Sequence, residues 1–185
     1  MRAQISSVKN LLEDGKIILY PTDTVWGIGC DATNKQTVKK IYQIKNRTET
    51  KNLIILVNSF EMLTQYVSNI PKEITAYLSK IAEPTTVIYN NPKNLAENCI
   101  AKDNTIAIRI VKKGFVNELI TALNKPIVST SANISGMPTP LEFNSISNEI
   151  KQGVDYIVPY KNELTSNKSS KIIRFAHNKI EILRD

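Results

Sequence analysis

Groups that carry out chemistry on their own are scarce in this sequence. It contains one histidine, His177, and two cysteines, Cys30 and Cys99, in 185 residues. The two thiols are far apart and neither has a CxxC partner, so no zinc knuckle and no disulfide framework is indicated; both are expected to be reduced structural thiols. The single histidine falls in an expected hairpin turn near the C-terminus and is assigned to the surface, and no nucleophile–histidine–carboxylate set assembles around it. Neither a GxxxxGK[ST] loop nor a GxGxxG turn occurs. No apolar run reaches the length of a membrane span, and Met1-Arg2-Ala3-Gln4 lacks the apolar segment of a secretion signal. The expectation is a cytoplasmic protein with no membrane partner. With no repeat and no linker-like stretch, residues 1–185 are expected to form one domain.

Positive charge, by contrast, is plentiful. The composition, 42% hydrophobic and 22% charged, suits a globular domain that can bury a core, and 24 Lys and Arg against 17 Asp and Glu give a formal charge of +7. Such an excess favours anionic partners such as phosphates or nucleic acid without naming one. From Lys35 to Lys51 the cations Lys35, Lys39, Lys40, Lys45, Arg47 and Lys51 stand with Glu49 as the one acid among them.

Hydrophobic periodicity alternates between helix and strand along most of the chain. Helices are predicted over 5–14, from Thr33 to Lys45, near 59–67, over 71–82, from Phe115 to Leu123 and around 142–152. Strands are predicted at Ile17–Tyr20, Leu53–Val57, Thr85–Tyr89, Thr105–Val111, Ile127–Ser129 and Tyr156–Val158, with a closing hairpin of Lys171–Ala176 and Ile180–Leu183 about His177-Asn178. Residues 91–104 read as irregular and Lys161 to Ser170 as a polar loop. The fold expected is α/β, with α+β-like character: a twisted mixed β-sheet with flanking helices.

Two strand ends run into short polar residues and suggest one shared pocket. At Tyr20-Pro21-Thr22-Asp23-Thr24-Val25-Trp26-Gly27-Ile28-Gly29 the apolar run breaks at Pro21, which has no N–H for a ladder. Gly27 and Gly29 are read as a turn or a close approach to a ligand. At Ser129-Thr130-Ser131-Ala132-Asn133-Ile134-Ser135-Gly136, Ser131 and Asn133 are spaced to point to one side of an extended segment. Lys45 and Arg47, with Lys51 nearby, form a cationic set of the kind that phosphates need. Arg109 sits in an otherwise apolar strand and requires an anion, either a small-molecule carboxylate or a structural ion pair.

Together the Pro21–Gly29 stretch, Lys45-Asn46-Arg47 and Ser129–Gly136 resemble the PT(E/D)TVYGLG, KxR and S-x-N signatures of the YrdC-like family of L-threonylcarbamoyladenylate synthases. The similarity covers nearly the whole chain, whose length is that of the short form. The resemblance implies a twisted α/β sheet with a concave basic face and an enzyme that joins L-threonine, bicarbonate or CO2 and ATP into threonylcarbamoyl-AMP, releasing pyrophosphate. It further implies Mg²⁺ brought with ATP and no metal ligands on the protein. The product feeds t6A modification of tRNA, through a downstream t6A transferase complex. By position, Lys45 and Arg47 would be catalytic and would hold ATP phosphates with Lys51, Thr86, Ser131 and Asn133; Thr24, Arg109 and Ser131 would bind substrate, and Ser170 would lie near the phosphates. Departures are Glu83 where relatives carry Gly, Thr48 where Pro often follows the Arg, and Leu56 where many long members carry His. A module that binds double-stranded RNA or tRNA without catalysis is the alternative. The related carbamoyl-transfer module of hydrogenase maturation comes joined to further domains, which this length does not accommodate.

Overall fold

Ile18-Leu19-Tyr20-Pro21 forms β1 (Ile18–Pro21), and the polar Thr22–Val25 segment folds it directly back into β2 (Trp26–Asp31). A computed structural model of the chain describes residues 2–48, 53–159 and 168–185. Pro21 closes β1 as expected, but the glycine-rich stretch that follows is a strand, all six of whose residues are buried. Lying between β1 and β6 (Ile127–Ser131), β2 has no room for a side chain at Gly29. A Cβ on Gly29 would stand 2.6 Å from the Val128 carbonyl oxygen and 2.7 Å from Tyr20 Cε1.

The remaining strands are β3 (Ile54–Val57), β4 (Thr85–Asn90), β5 (Thr105–Ile110), β7 (Tyr156–Ile157), β8 (Lys171–Ala176) and β9 (Lys179–Arg184). All join one sheet in the order β7-β1-β2-β6-β3-β5-β4-β8-β9. The β1–β7, β3–β5 and β4–β8 pairs are parallel and the others antiparallel, so the sheet is mixed, as the alternating sequence pattern predicted. The final hairpin turns at His177-Asn178, both with positive φ. That is the conformation a two-residue hairpin loop requires.

The helices are α1 (Arg2–Glu13), α2 (Lys35–Ile44), α3 (Phe60–Tyr66), α4 (Lys72–Lys80), α5 (Phe115–Leu123) and α6 (Asn148–Gly153). In α2, Val38, Ile41 and Tyr42 face the core, and Asn34 caps the helix by accepting from the Gln36 and Thr37 amides. Thr33, where the helix was predicted to begin, is instead drawn to the Asp31 carboxylate. The helix predicted around 142–152 divides into a 3-10 turn at Phe143–Ser145 and α6, capped by Ser147. Helix α1 packs on α5, and Ile5, Val8 and Leu12 of the one and Leu119, Ile120 and Leu123 of the other are buried in the same core. Each such aliphatic side chain contributes about 1.5–3 kcal/mol when fully buried. No helix among the described residues is long and apolar enough to cross a membrane.

Candidate functional site

Strand register sets the site. Thr86 of β4 lies opposite Arg109 of β5 and Ile172 of β8, and Ile172 lies opposite Arg184 of β9. Residues paired in this way share one face of a sheet, so Arg109 and Arg184 end up on the same side, three strands apart. A parallel row from β6 to β4 runs through Ser129, Ile54, Ala107 and Ile88. Apart from Thr86, both rows line a hollow of about 330 Å³, whose wall includes Thr22, Thr24 and Gly27 at the β1–β2 hairpin and Arg47 after α2.

The hairpin turn is held by a hydroxyl. Thr22 Oγ1 accepts from the Thr24 and Val25 amides and donates to the Val25 carbonyl at 2.8 Å. This tie carries Asp23 across to Arg109, whose Nη1 donates to both carboxylate oxygens at 2.7 and 2.8 Å. The Arg109 side chain is 4% exposed and that of Asp23 29%. A buried guanidinium in an apolar strand thus has the anion its position required, and that anion is a residue of the chain.

Three guanidiniums, those of Arg47, Arg109 and Arg184, border the hollow, and among the described residues none that lines it is a carboxylate. Burial lowers the pKa of Arg47, and burial together with the charge of Arg109 lowers that of Arg184. Both shifts reflect the partial burial of these guanidiniums, a cost that a neighbouring anion offsets. Hydroxyls supply the remaining polarity. Ser170 Oγ lies 2.8 Å from Thr86 Oγ1, and the Ser170 carbonyl accepts from Arg184 Nη2 at 2.7 Å.

Thr24, Arg47, Arg109 and Ser131, all singled out in the sequence, meet at this hollow. Thr86 lies beneath it, fully buried. Lys45 and Asn133 stand behind Ser131. The Lys45 side chain is enclosed, at 1% exposure, and its ammonium donates to the Ser131 carbonyl and, at 2.7 Å, to that of Asn133. Burial and the neighbouring Arg47 charge push its pKa down to about 7. Lys51 lies outside the described residues, as does most of the polar loop expected from Lys161 to Ser170. Arg184 and Ser129 were not singled out, and Thr22 was read only as one of the short polar groups of its stretch. Ser129 stands two residues from Ser131, a spacing that could have revealed it, whereas Arg184 enters only through the pairing of the terminal hairpin.

Glu83, one of the departures from the resemblance, pairs with Lys171, which also reaches Asp185. Among the described residues no group of three or more His, Cys, Asp or Glu side chains could hold a metal ion.

The family described as "Telomere recombination", comprising Sua5, YciO and YrdC proteins, matches residues 10–185. A protein of Pseudoalteromonas translucida named threonylcarbamoyl-AMP synthase is 32% identical over 160 residues, covering 85% of this chain and 86% of its own length. Sua5 of P. abyssi, solved in complex with L-threonine, superposes with a TM-score of 0.85 at 25% identity, covering 97% of this chain. The match takes in 53% of Sua5, so the chain spans about half of that protein. E. coli YciO superposes over 100% of this chain and 90% of its own, with a TM-score of 0.82 at 20% identity, which speaks for the fold. The arginine-lined hollow is therefore set in a known framework: the chain belongs to the Sua5/YciO/YrdC family.

Proposed function

We propose that the chain is a threonylcarbamoyl-AMP synthase, forming threonylcarbamoyl-AMP from L-threonine, bicarbonate or CO2 and ATP with release of pyrophosphate, for t6A modification of tRNA. The observation that carries this reading is the hollow itself: three guanidiniums and a set of hydroxyls around a space with no carboxylate in its lining among the described residues. A site for two anionic reactants has this character. The relatives' names supply the reaction to which the geometry is suited. The concave basic face implied by the family resemblance corresponds, in this reading, to the mouth of the hollow.

The threonine amine adds to CO2 with loss of a proton, or to bicarbonate with loss of water, and an oxygen of the resulting carbamate then attacks the α-phosphorus of ATP as pyrophosphate departs. No side chain forms a covalent bond. Arg47 and Arg184 neutralise phosphate charge, Arg109 receives the threonine carboxylate beside its Asp23 contact, and the Thr24 and Ser131 hydroxyls orient the polar groups between them. Arg is suited to this because its planar fork of donors matches a carboxylate or a phosphate. The donor set at the hollow, hydroxyls and guanidiniums, does not fit a resident metal. Mg²⁺ is accordingly assigned to the ATP substrate, where it neutralises phosphate charge.

The test is pyrophosphate release by purified protein. Release requiring ATP, L-threonine and bicarbonate together, and lost in Arg47→Ala with the fold intact, supports the synthase. RNA affinity that falls steeply with salt, without such release, would favour the RNA-binding alternative.

A further inference from the structure

Lys45 is set apart from the other cations of the site. Arg47, Arg109 and Arg184 border the hollow, whereas Lys45 is enclosed behind Ser131. An ammonium has three N–H donors, and three acceptors surround this one: the Ser131 carbonyl, the Asn133 carbonyl at 2.7 Å and Asn133 Oδ1 at 3.4 Å. No donor is left over for a phosphate. The main chain of the same residue is also engaged, since the Lys45 carbonyl accepts from the Ser135 amide at 2.8 Å.

The segment thus gripped is fixed from within as well. Ser131 Oγ donates to Asn133 Oδ1, and Asn133 Nδ2 donates to the carbonyls of Ile134 and Met137. Lys45, Ser131 and Asn133 form one connected unit, of which Ser131 alone reaches the hollow. We propose that Lys45 is a positioning residue, which serves the reaction by fixing Ser131 and the 131–137 segment from behind and makes no contact with the nucleotide. A compact ammonium suits this position, because three oxygens converge on one point that a planar guanidinium would overfill. The proposal rests on the synthase reading only for the reaction that is monitored.

Two measurements test it. The first needs no turnover: lysine Nζ NMR on the whole protein, below the Lys45 pKa of about 7. The Lys45 ammonium is expected to exchange slowly, to couple across its hydrogen bonds to the Ser131 and Asn133 carbonyls, and to keep those couplings when Mg·ATP is added. Their disappearance on ATP addition, or their absence from the free protein, overturns the proposal. The second is kinetic. Lys45→Met, similar in length but without donors, is expected to lower kcat about 10²-fold through misplacement of Ser131 while the KM for ATP changes less than about threefold. Adding Asn133→Ala to Lys45→Met should cost less than about a further threefold, because the two residues act as one unit. A Lys45→Met protein that keeps kcat and loses affinity for ATP refutes the proposal, and if that variant does not fold, the NMR couplings decide. Should the unmodified protein release no pyrophosphate, the synthase reading fails, while the NMR result still judges Lys45.

Discussion

Lys45 and Arg109 are buried to nearly the same degree, at 1% and 3% exposure, yet they are accommodated in opposite ways. Arg109 faces a carboxylate, that of Asp23, and its charge is balanced inside the chain. Lys45 faces only carbonyl-type oxygens, and a second cation, Arg47, stands nearby. Full charge opposes charge in one case; dipoles support a charge in the other. The second arrangement lets burial, with the Arg47 charge nearby, move the ammonium pKa down to about 7. The two halves of the site therefore differ in what will disturb them.

The comparison breaks most visibly when a cation that borders the hollow is lost. Arg47→Ala should lower pyrophosphate release about 10²–10³-fold, the scale for removing one preorganised donor, with little change in thermal midpoint. Asp23→Ala strands the buried Arg109 guanidinium. Removing one partner of a buried pair costs about 3–5 kcal/mol, and the lower figure applies because Asp23 is partly exposed, so urea unfolding should show a loss near 3 kcal/mol.

For Lys45 the sign follows from linkage. Its folded pKa, about 7, lies below the ordinary value of 10.5, so between these values the unfolded chain binds more protons and stability rises with pH. Below about pH 7 the whole penalty is present and the slope from this group vanishes. Between pH 7 and pH 8.5 the gain should be about 1–2 kcal/mol at 1.36 kcal/mol per unit, and Lys45→Met should abolish it. Above pH 9 the Cys30 thiol, raised to about 12 by burial, acts in the opposite direction, so the difference between the two proteins is the quantity to measure. A packing effect is of similar size: Gly29→Ala forces a methyl against the Val128 carbonyl and the Tyr20 ring and should cost about 1–3 kcal/mol in urea unfolding.

Much of this was legible in the sequence because it depended on local pattern. The helix from Phe115 to Leu123, the buried β3 and the His177-Asn178 hairpin follow from periodicity and turn residues. Strand β2 did not, since a strand buried on both faces with glycines at its close contacts shows no alternation and imitates a turn. The same limit applies to the site. Thr24, Arg47, Arg109 and Ser131 stood out by residue type and context. Arg184, in an amphipathic edge strand, acquired significance only from the β8–β9 pairing. Asp23 was visible as one polar group among several, but its pairing with Arg109 depends on the turn that Thr22 closes. The enclosure of Lys45 also arises across long sequence separation, from Ser131 and Asn133.

The hollow draws its wall from Thr22 near the start of the chain and Arg184 near its end, joined across β2, β6, β3, β5, β4, β8 and β9. A chain emerging from the ribosome consequently carries an incomplete site until its last hairpin has docked. A nascent or nicked chain without the β8–β9 hairpin would thus lack one of the three guanidiniums, and closure of the hollow would report that the sheet from β1 to β9 has assembled.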